Sequence, residues 1–302
     1  MMYLHHDRDF FLEIIDITST KCLTSQSIIE KDYYVTMILR LLSQSHFNPV
    51  FKGGTSLSKC FHLIDRFSED IDITFTERLG DRRRKKLKYD VVGPISEELG
   101  LNIQNWDNIE SNKDLVRYEF VYQPVSSVSI KDVAQCIKLE TFTASYSFPT
   151  EKKLVGNYIY DTLKDEIPDL DKYGLAPFRM NVQSEARTFI DKIFALCDYY
   201  SDGKARDHSR HLYDIYKLFP SIVFDDAFKK LFEDVRKHRS QLNICPSAKE
   251  GVNLKEQIIE FLDSDFYRQD YEEKTKTLVS DGITYDQAVA ALRELTEILF
   301  RE

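Results

Sequence analysis

A short apolar run, Pro49-Val-Phe-Lys52, passes directly into Gly53-Gly54-Thr55-Ser56, and a helix-length segment later the chain reads Arg66-Phe-Ser-Glu-Asp-Ile-Asp-Ile-Thr-Phe75. No other stretch narrows the possible folds as far. Two glycines at a strand end allow a turn bare enough for a phosphate to approach, because glycine adopts backbone conformations closed to other residues. Asp70 and Asp72 stand two apart in a run with strand character, so their carboxylates point to one side of a sheet. A strand over 49–52, a helix over 56–65 and a strand over 71–75 make an α/β unit. Its layout suits a divalent metal and a nucleoside triphosphate held together.

Composition sets the outer limits. With 302 residues, 42% of them apolar and 13% aromatic, the chain has ample material for packed cores, and two domains are expected. Fifty acidic against 41 basic residues give a net charge of −9, which argues against a protein that coats nucleic acid non-specifically through phosphate contacts. Cys22, Cys60, Cys136, Cys197 and Cys245 are scattered, with no Cys-x-x-Cys pair and no histidine at zinc-finger spacing, so free thiols in a reducing cytoplasm are expected. The N-terminus lacks the positive flank of a signal peptide, and no run approaches the roughly 18 apolar residues of a membrane span. A soluble cytoplasmic protein without membrane contact is the expectation.

Residues 25–45 carry apolar positions at helical spacing after polar starters, which predicts an amphipathic helix. Residues 81–100 read as a charged helix that Gly93-Pro94 would break or kink. Alternation predicts strands over 115–122 and 136–142, in the same sheet. The stretch from Ala144 to Asn181 contains Pro149, Gly156, Pro168, Gly174 and Pro177 with weak periodicity, and is read as the link between domains. Beyond it, helices are predicted over 184–200, 210–218, 225–239, 253–262 and 285–300. The fold class is thus α+β, with an α/β domain over 1–160 and a helical domain over 161–302.

Phosphoryl transfer asks a protein mainly for positioning and charge, typically two metal ions about 3.5–4 Å apart bridging the phosphates and the attacking oxygen. Such hard cations select oxygen ligands. Asp70 and Asp72 supply two carboxylates, and Glu140, in the alternating run Cys136–Phe142, is the best-placed third, with Lys138 on its face. Each piece alone has a plainer explanation. Asp-x-Asp in a strand is often two solvated positions, and Gly-Gly-Thr is an ordinary turn. In combination, the glycine turn with its hydroxyl, the helix and the Asp-hydrophobic-Asp strand form the motif of the nucleotidyltransferase superfamily typified by DNA polymerase beta.

Phe51-Lys-Gly-Gly-Thr-Ser-Leu57 joined to Arg66-Phe-Ser-Glu-Asp-Ile-Asp72 resembles the signature of the AbiEii toxin family, the nucleotidyltransferase components of type IV toxin–antitoxin and abortive-infection systems. Glu30-Lys-Asp32, Arg187-Thr-Phe-Ile-Asp-Lys192 and Arg210-His-x-x-Asp214 are similar to three further motifs of that family, so the likeness spans about residues 28–216. It implies a bilobed protein whose sheet domain faces a helical domain across an NTP cleft. It also implies Mg²⁺ or Mn²⁺ on Asp70 and Asp72, Lys192 at the triphosphate and Asp214 as a required acid at the cleft. Transfer of NMP to an acceptor hydroxyl, in several members a tRNA 3′ end, would block translation, and a cognate antitoxin need not form a stable complex with the toxin. One departure is visible: Asp191 stands where the family usually has Glu.

In this reading Asp70, Asp72 and Glu140 form the metal site, and Gly53, Gly54, Thr55 and Ser56 take phosphates. Lys52, Lys59, Arg66, Lys192 and Arg210 add positive charge around the nucleotide. Several assignments have structural alternatives: Lys192 as a snorkelling helix residue, Arg210 and Asp214 as a helix ion pair, Ser68 as a turn former, and Lys59 and Arg66 as solvated cations. Arg187 is five residues from Lys192, reaches the same face loosely and can be structural. The basic run Arg82-Arg-Arg-Lys-Lys-Leu-Lys88 can be a solvated helix face or an RNA contact. Trp106 is expected in the core. Two other function classes stay open: NMP transfer to a protein or small molecule, and nucleotide binding without turnover.

Overall fold

A computed structural model describes residues 2–66, 68, 70–109, 114–126, 136–146 and 148–301; Phe67 and Glu69 of the motif lie outside this set. Two compact units emerge. One comprises residues 1–61 and 68–183, the other residues 62–67 and 184–302. The division at 183/184, rather than 160/161, has a clear cause. The stretch 144–181 is not a linker: it continues β5, contains two helical segments, and supplies two further strands of the sheet.

In the first unit, among the described residues, seven strands form one mixed sheet: β1 (Pro49–Lys52), β2 (Ile71–Phe75), β3 (Asn102–Ile103), β4 (Leu115–Val121), β5 (Cys136–Tyr146), β6 (Thr150–Val155) and β7 (Phe178–Gln183), in the order β3-β4-β5-β2-β1-β7-β6. β2 runs antiparallel to β1 and parallel to β5, while β1 runs parallel to β7. Register partners share a face of a sheet. One face carries Phe51, Ile71, Ile73, Tyr118, Phe120, Ile137 and Leu139, all nearly inaccessible to solvent. These side chains join a single apolar cluster with Phe11, Ile14 and Ile15 of α1 (Arg8–Cys22) and Ile29, Tyr33, Ile38 and Leu42 of α2 (Gln26–Ser43). The opposite face carries the charged positions.

Ser25 caps α2 by accepting a hydrogen bond from the Ile28 amide, as the polar starters predict. The Gly53-Gly54 turn opens α3 (Gly53–Ser56), which continues as a π-helical turn over Leu57–Phe61 and stops four residues before the expected end. Gly93-Pro94 does not break its helix. A π-turn over Lys88–Val92 joins α4 (Asp81–Leu87) to α5 (Gly93–Glu98), and Pro94 falls in the first turn of α5, where a missing amide donor costs nothing. α6 (Tyr158–Leu163) lies between β6 and β7 in the chain.

The second unit is helical: α7 (Glu185–Ser201), α8 (Arg210–Leu218), α9 (Asp226–Arg239), α10 (Leu254–Asp263), short α11 (Arg268–Asp270) and α12 (Lys276–Leu278), and α13 (Tyr285–Leu299). Each long helix lies within two residues of its expected bounds. Residues 62–67 join this unit through Arg66, which pairs as an isolated bridge with Val279, and through the Asp65 carbonyl, which accepts from the Ser280 amide and hydroxyl.

Glu30, Lys31 and Asp32 of α2 are all buried. Glu30 accepts from the Val125 amide at 2.8 Å and the Ser126 hydroxyl at 2.9 Å. Asp32 accepts from Lys59 Nζ at 2.5 Å and the Tyr158 amide at 3.0 Å. Lys59 also donates to the Thr36 hydroxyl at 2.8 Å and the Gly156 carbonyl at 3.2 Å, so three acceptors surround its ammonium. Lys59→Ala should lower unfolding free energy in urea by about 3 kcal/mol, because it strands a buried carboxylate, and the paired variant Asp32→Asn/Lys59→Met should recover much of that loss.

Candidate active site

The sheet register aligns Arg117, Glu140, Asp72 and Lys52 in one row across β4, β5, β2 and β1, on the face opposite the core. All four are partly exposed. Glu140 and Asp72 are direct partners on parallel strands, which places two carboxylates about one strand spacing of ~4.8 Å apart at the backbone. Arg117 offsets that repulsion, donating from Nε to Glu140 Oε1 at 2.8 Å. Lys52 flanks Asp72 on the other side, with its ammonium 5.2 Å from the Phe142 ring centre. Arg117 was not singled out from the sequence, although its alternation within β4 was the available signal.

Gly53 is required by the geometry. Its φ is +79°, and a Cβ there would lie 2.0 Å from Asp72 Oδ2. The turn backbone therefore rests against the carboxylate itself. Thr55 and Ser56 point inward: Thr55 Oγ1 donates to the Asp70 carbonyl at 2.5 Å and approaches Ser68 Oγ at 3.0 Å, while Ser56 Oγ donates to the Gly53 carbonyl at 2.8 Å. Their hydroxyls thus fix the turn and the approach to β2, and no side chain caps the start of α3. Ser68 belongs to this lacing rather than to an isolated turn.

Two carboxylates two residues apart suit Mg²⁺, which takes one or two protein carboxylates and completes its shell with water and phosphate oxygens. Among the described residues no group of three or more His, Cys, Asp or Glu side chains forms a ready-made cage.

The second unit holds a buried charged triad. Arg66 donates to both oxygens of Asp214, from Nε at 2.6 Å and from a terminal nitrogen at 2.7 Å, and Lys192 Nζ donates to Asp214 Oδ2 at 2.5 Å. Asp214 is fully buried, with Lys192 and Arg66 nearly so. Burial pushes the Asp214 carboxyl up, but Arg66 and Lys192 outweigh it and hold the group well below the usual carboxylate range. At Lys192 burial prevails and lowers the ammonium pKa: Asp214 opposes the shift, while Arg66 and Arg210 reinforce it. The two shifts do not mirror each other because one carboxylate serves two cations.

Next to it His211 is held neutral, far below its ordinary pKa, by burial and by Lys192 and Arg210. Asp191, the departure from the family pattern, pairs with Arg187 at 3.3 Å and Arg239 at 3.1 Å, and Arg239 also reaches Asp198 at 2.7 Å. The shorter side chain is thus accommodated by two arginines, and Arg187 is a buried partner within its own helix.

A mixed sheet carrying a glycine turn against an Asp-x-Asp strand is the fold of a nucleotidyltransferase. Consistent with this, the structure is similar to MenT4, a nucleotidyltransferase toxin from Mycobacterium tuberculosis H37Rv, at a TM-score of 0.59 and 18% identity, covering 95% of this chain and 90% of that one. An H. pylori protein described as a candidate nucleotidyltransferase is more distant, with a TM-score of 0.46 and 16% identity over 91% and 95% of the two chains. No curated protein matches by sequence. The model of the family described as "Nucleotidyl transferase AbiEii toxin, Type IV TA system" matches residues 38–291, and the chain belongs to that family. The matched range leaves Glu30–Asp32 outside and extends well past Asp214.

Gly53→Ala should destabilise the fold by about 1–3 kcal/mol through its left-handed backbone and its clash with Asp72. Combining it with Asp72→Ala should be less than additive in thermal unfolding, since the clash with the carboxylate is removed while the tight approach to the Cβ of residue 72 and the backbone strain remain. Asp214→Asn should cost about 3–5 kcal/mol at neutral pH, because two buried cations lose their anion. The carboxyl pKa is depressed in the folded state, so its stabilisation is complete above the unfolded value of about 3.9 and fades as pH falls through the folded value. Urea titrations of parent and variant should therefore converge towards strongly acid pH.

Proposed function

We propose that this toxin transfers NMP from an NTP to a hydroxyl of an RNA acceptor, a tRNA 3′ end being the leading candidate, and so blocks translation in the cytoplasm. The observation that carries this reading is the Asp72 carboxylate resting against the Gly53 backbone, with Asp70 two residues before it and Glu140 beside it in register. In this mechanism Asp70 and Asp72 would hold the metal, and backbone amides of the Gly53-Gly54-Thr55-Ser56 turn would receive phosphate oxygens. A bound Mg²⁺ or Mn²⁺ would neutralise phosphate charge and acidify the acceptor hydroxyl. Glu140, oriented by Arg117, accepts the hydrogen bond and then the proton of that hydroxyl. The acceptor oxygen bonds to the α-phosphorus, the bond from the α-phosphorus to the bridging oxygen breaks, and pyrophosphate leaves.

Lys192 is assigned to triphosphate charge on the family likeness, and Arg210 is proposed to add to it. Asp214, with both oxygens held by Arg66 and Lys192, acts in this proposal by positioning them. Lys52 flanks the metal carboxylate. Lys59 is assigned to hold α2 against the turn. The family likeness also supports an antitoxin partner, whose mode of action is left to experiment.

Incubation with each α-labelled NTP in turn and total cell extract, followed by separation of RNA, protein and small molecules, tests the reading. Label should enter RNA, vanish with EDTA and return with excess Mg²⁺. Asp72→Ala should retain its circular dichroism and reduce labelling to background. Label confined to protein or small molecules would refute the RNA acceptor, and absence of pyrophosphate release under all conditions would refute turnover.

A further inference from the structure

The segment Asp81–Lys88 carries six cations and one anion in a chain of net charge −9. Intramolecular contacts absorb part of it. Arg83 pairs with Glu77 at 2.6 Å, Arg84 pairs with Asp81, and Lys88 lies 4.3 Å from the Trp106 ring centre while donating to the Trp106 carbonyl at 3.0 Å. Arg82, Lys85 and Lys86 are exposed and make no ion pair among the described residues. Their spacing of i, i+3 and i+4 puts all three on one face of α4.

Tyr89, the next position on that face, is 59% exposed, an unusual state for a large aromatic ring. It is braced by Trp106, which meets it edge to face with ring centres 5.8 Å apart at 88°. Gly93 lets the indole lie close: a Cβ there would sit 3.3 Å from Trp106 Cη2. Trp106 also lines a neighbouring groove of about 510 Å³, together with Ser96, Glu97, Asn102, Gln104, Asp107 and Asn108. Trp106 is thus only partly core.

We infer that this face of α4, with Tyr89, is a docking surface for single-stranded RNA. Arg82, Lys85 and Lys86 take backbone phosphates, and Tyr89 stacks a base beside them. The argument is charge complementarity joined to an exposed, braced ring: three unpaired cations on an otherwise acidic protein attract a polyanion, and a fixed aromatic face adds sequence-tolerant stacking. The inference rests on the RNA-acceptor reading above and names where that acceptor is gripped.

The test is fluorescence anisotropy with a labelled single-stranded RNA oligonucleotide over a range of KCl, without NTP. Arg82→Glu/Lys85→Glu/Lys86→Glu should weaken binding at least about 10-fold at 0.1 M salt and make the slope of log affinity against log salt shallower by about 2, as loss of three phosphate contacts on a single strand requires. Tyr89→Ala should weaken binding about 5-fold or more with the slope unchanged, because stacking releases no counterions. Both variants should keep the thermal shift given by NTPs with Mg²⁺. Asp72→Ala should bind the oligonucleotide like the parent, so a failure of catalysis is distinguishable from a failure of docking. Unchanged affinity and slope in the folded triple variant would overturn the inference and leave the face to a protein partner.

Discussion

The register of β2 between β1 and β5 is the constraint on which the rest depends. Ile71 and Ile73 must enter the core, where both are fully buried, and this obliges Asp72 between them to face the other way. A slip of one residue would bury the carboxylate and expose two isoleucines, so hydrophobic burial fixes which face carries the carboxylate. The same register sets Glu140 and Lys52 on either side of Asp72. It also brings the β1 exit close enough that only glycine fits against the carboxylate.

Around this row the chain uses charged groups in two distinct ways. On the sheet face Arg117, Glu140, Asp72 and Lys52 keep partial solvent access, which leaves them able to exchange partners with a ligand. The Arg66–Asp214–Lys192 triad and the Lys59–Asp32 pair are nearly dry. There the attraction is strong, but much of it offsets desolvation, so these groups rigidify more than they stabilise. Arg66 illustrates the division. Sequence order puts it four residues before Asp70, yet its bidentate pairing ties residues 62–67 to the helical unit, and the chain enters that unit and leaves it again within a few residues.

Much of the architecture was legible in the sequence because it follows local periodicity. Alternation located β4 and β5, and 3.6-residue spacing located α2 and the long helices of the second unit. The strands that pattern missed share one cause. β6 carries three charged residues in six, and β7 follows a proline- and glycine-rich stretch, so neither stands out by pattern, yet pairing with a neighbouring strand satisfies their backbones and makes them strands. At 93–94, where the sequence reads as a break or kink, a π-turn over Lys88–Val92 interrupts the α-helix and the proline falls in the first turn of α5, where it is tolerated.

For the site, the sequence alone determined its residue types: the Asp70-x-Asp72 pair, the glycine turn and the order of motifs that marks the family. These were readable because a two-residue period and a glycine requirement are local consequences of covalent geometry. Only the tertiary structure decided how the ionised groups pair. Asp214 is shared by Arg66 and Lys192, Asp191 by Arg187 and Arg239, and Glu140 is held by Arg117. A charge finds its partner through space, and the energy of that pairing depends on how much water the surrounding fold removes.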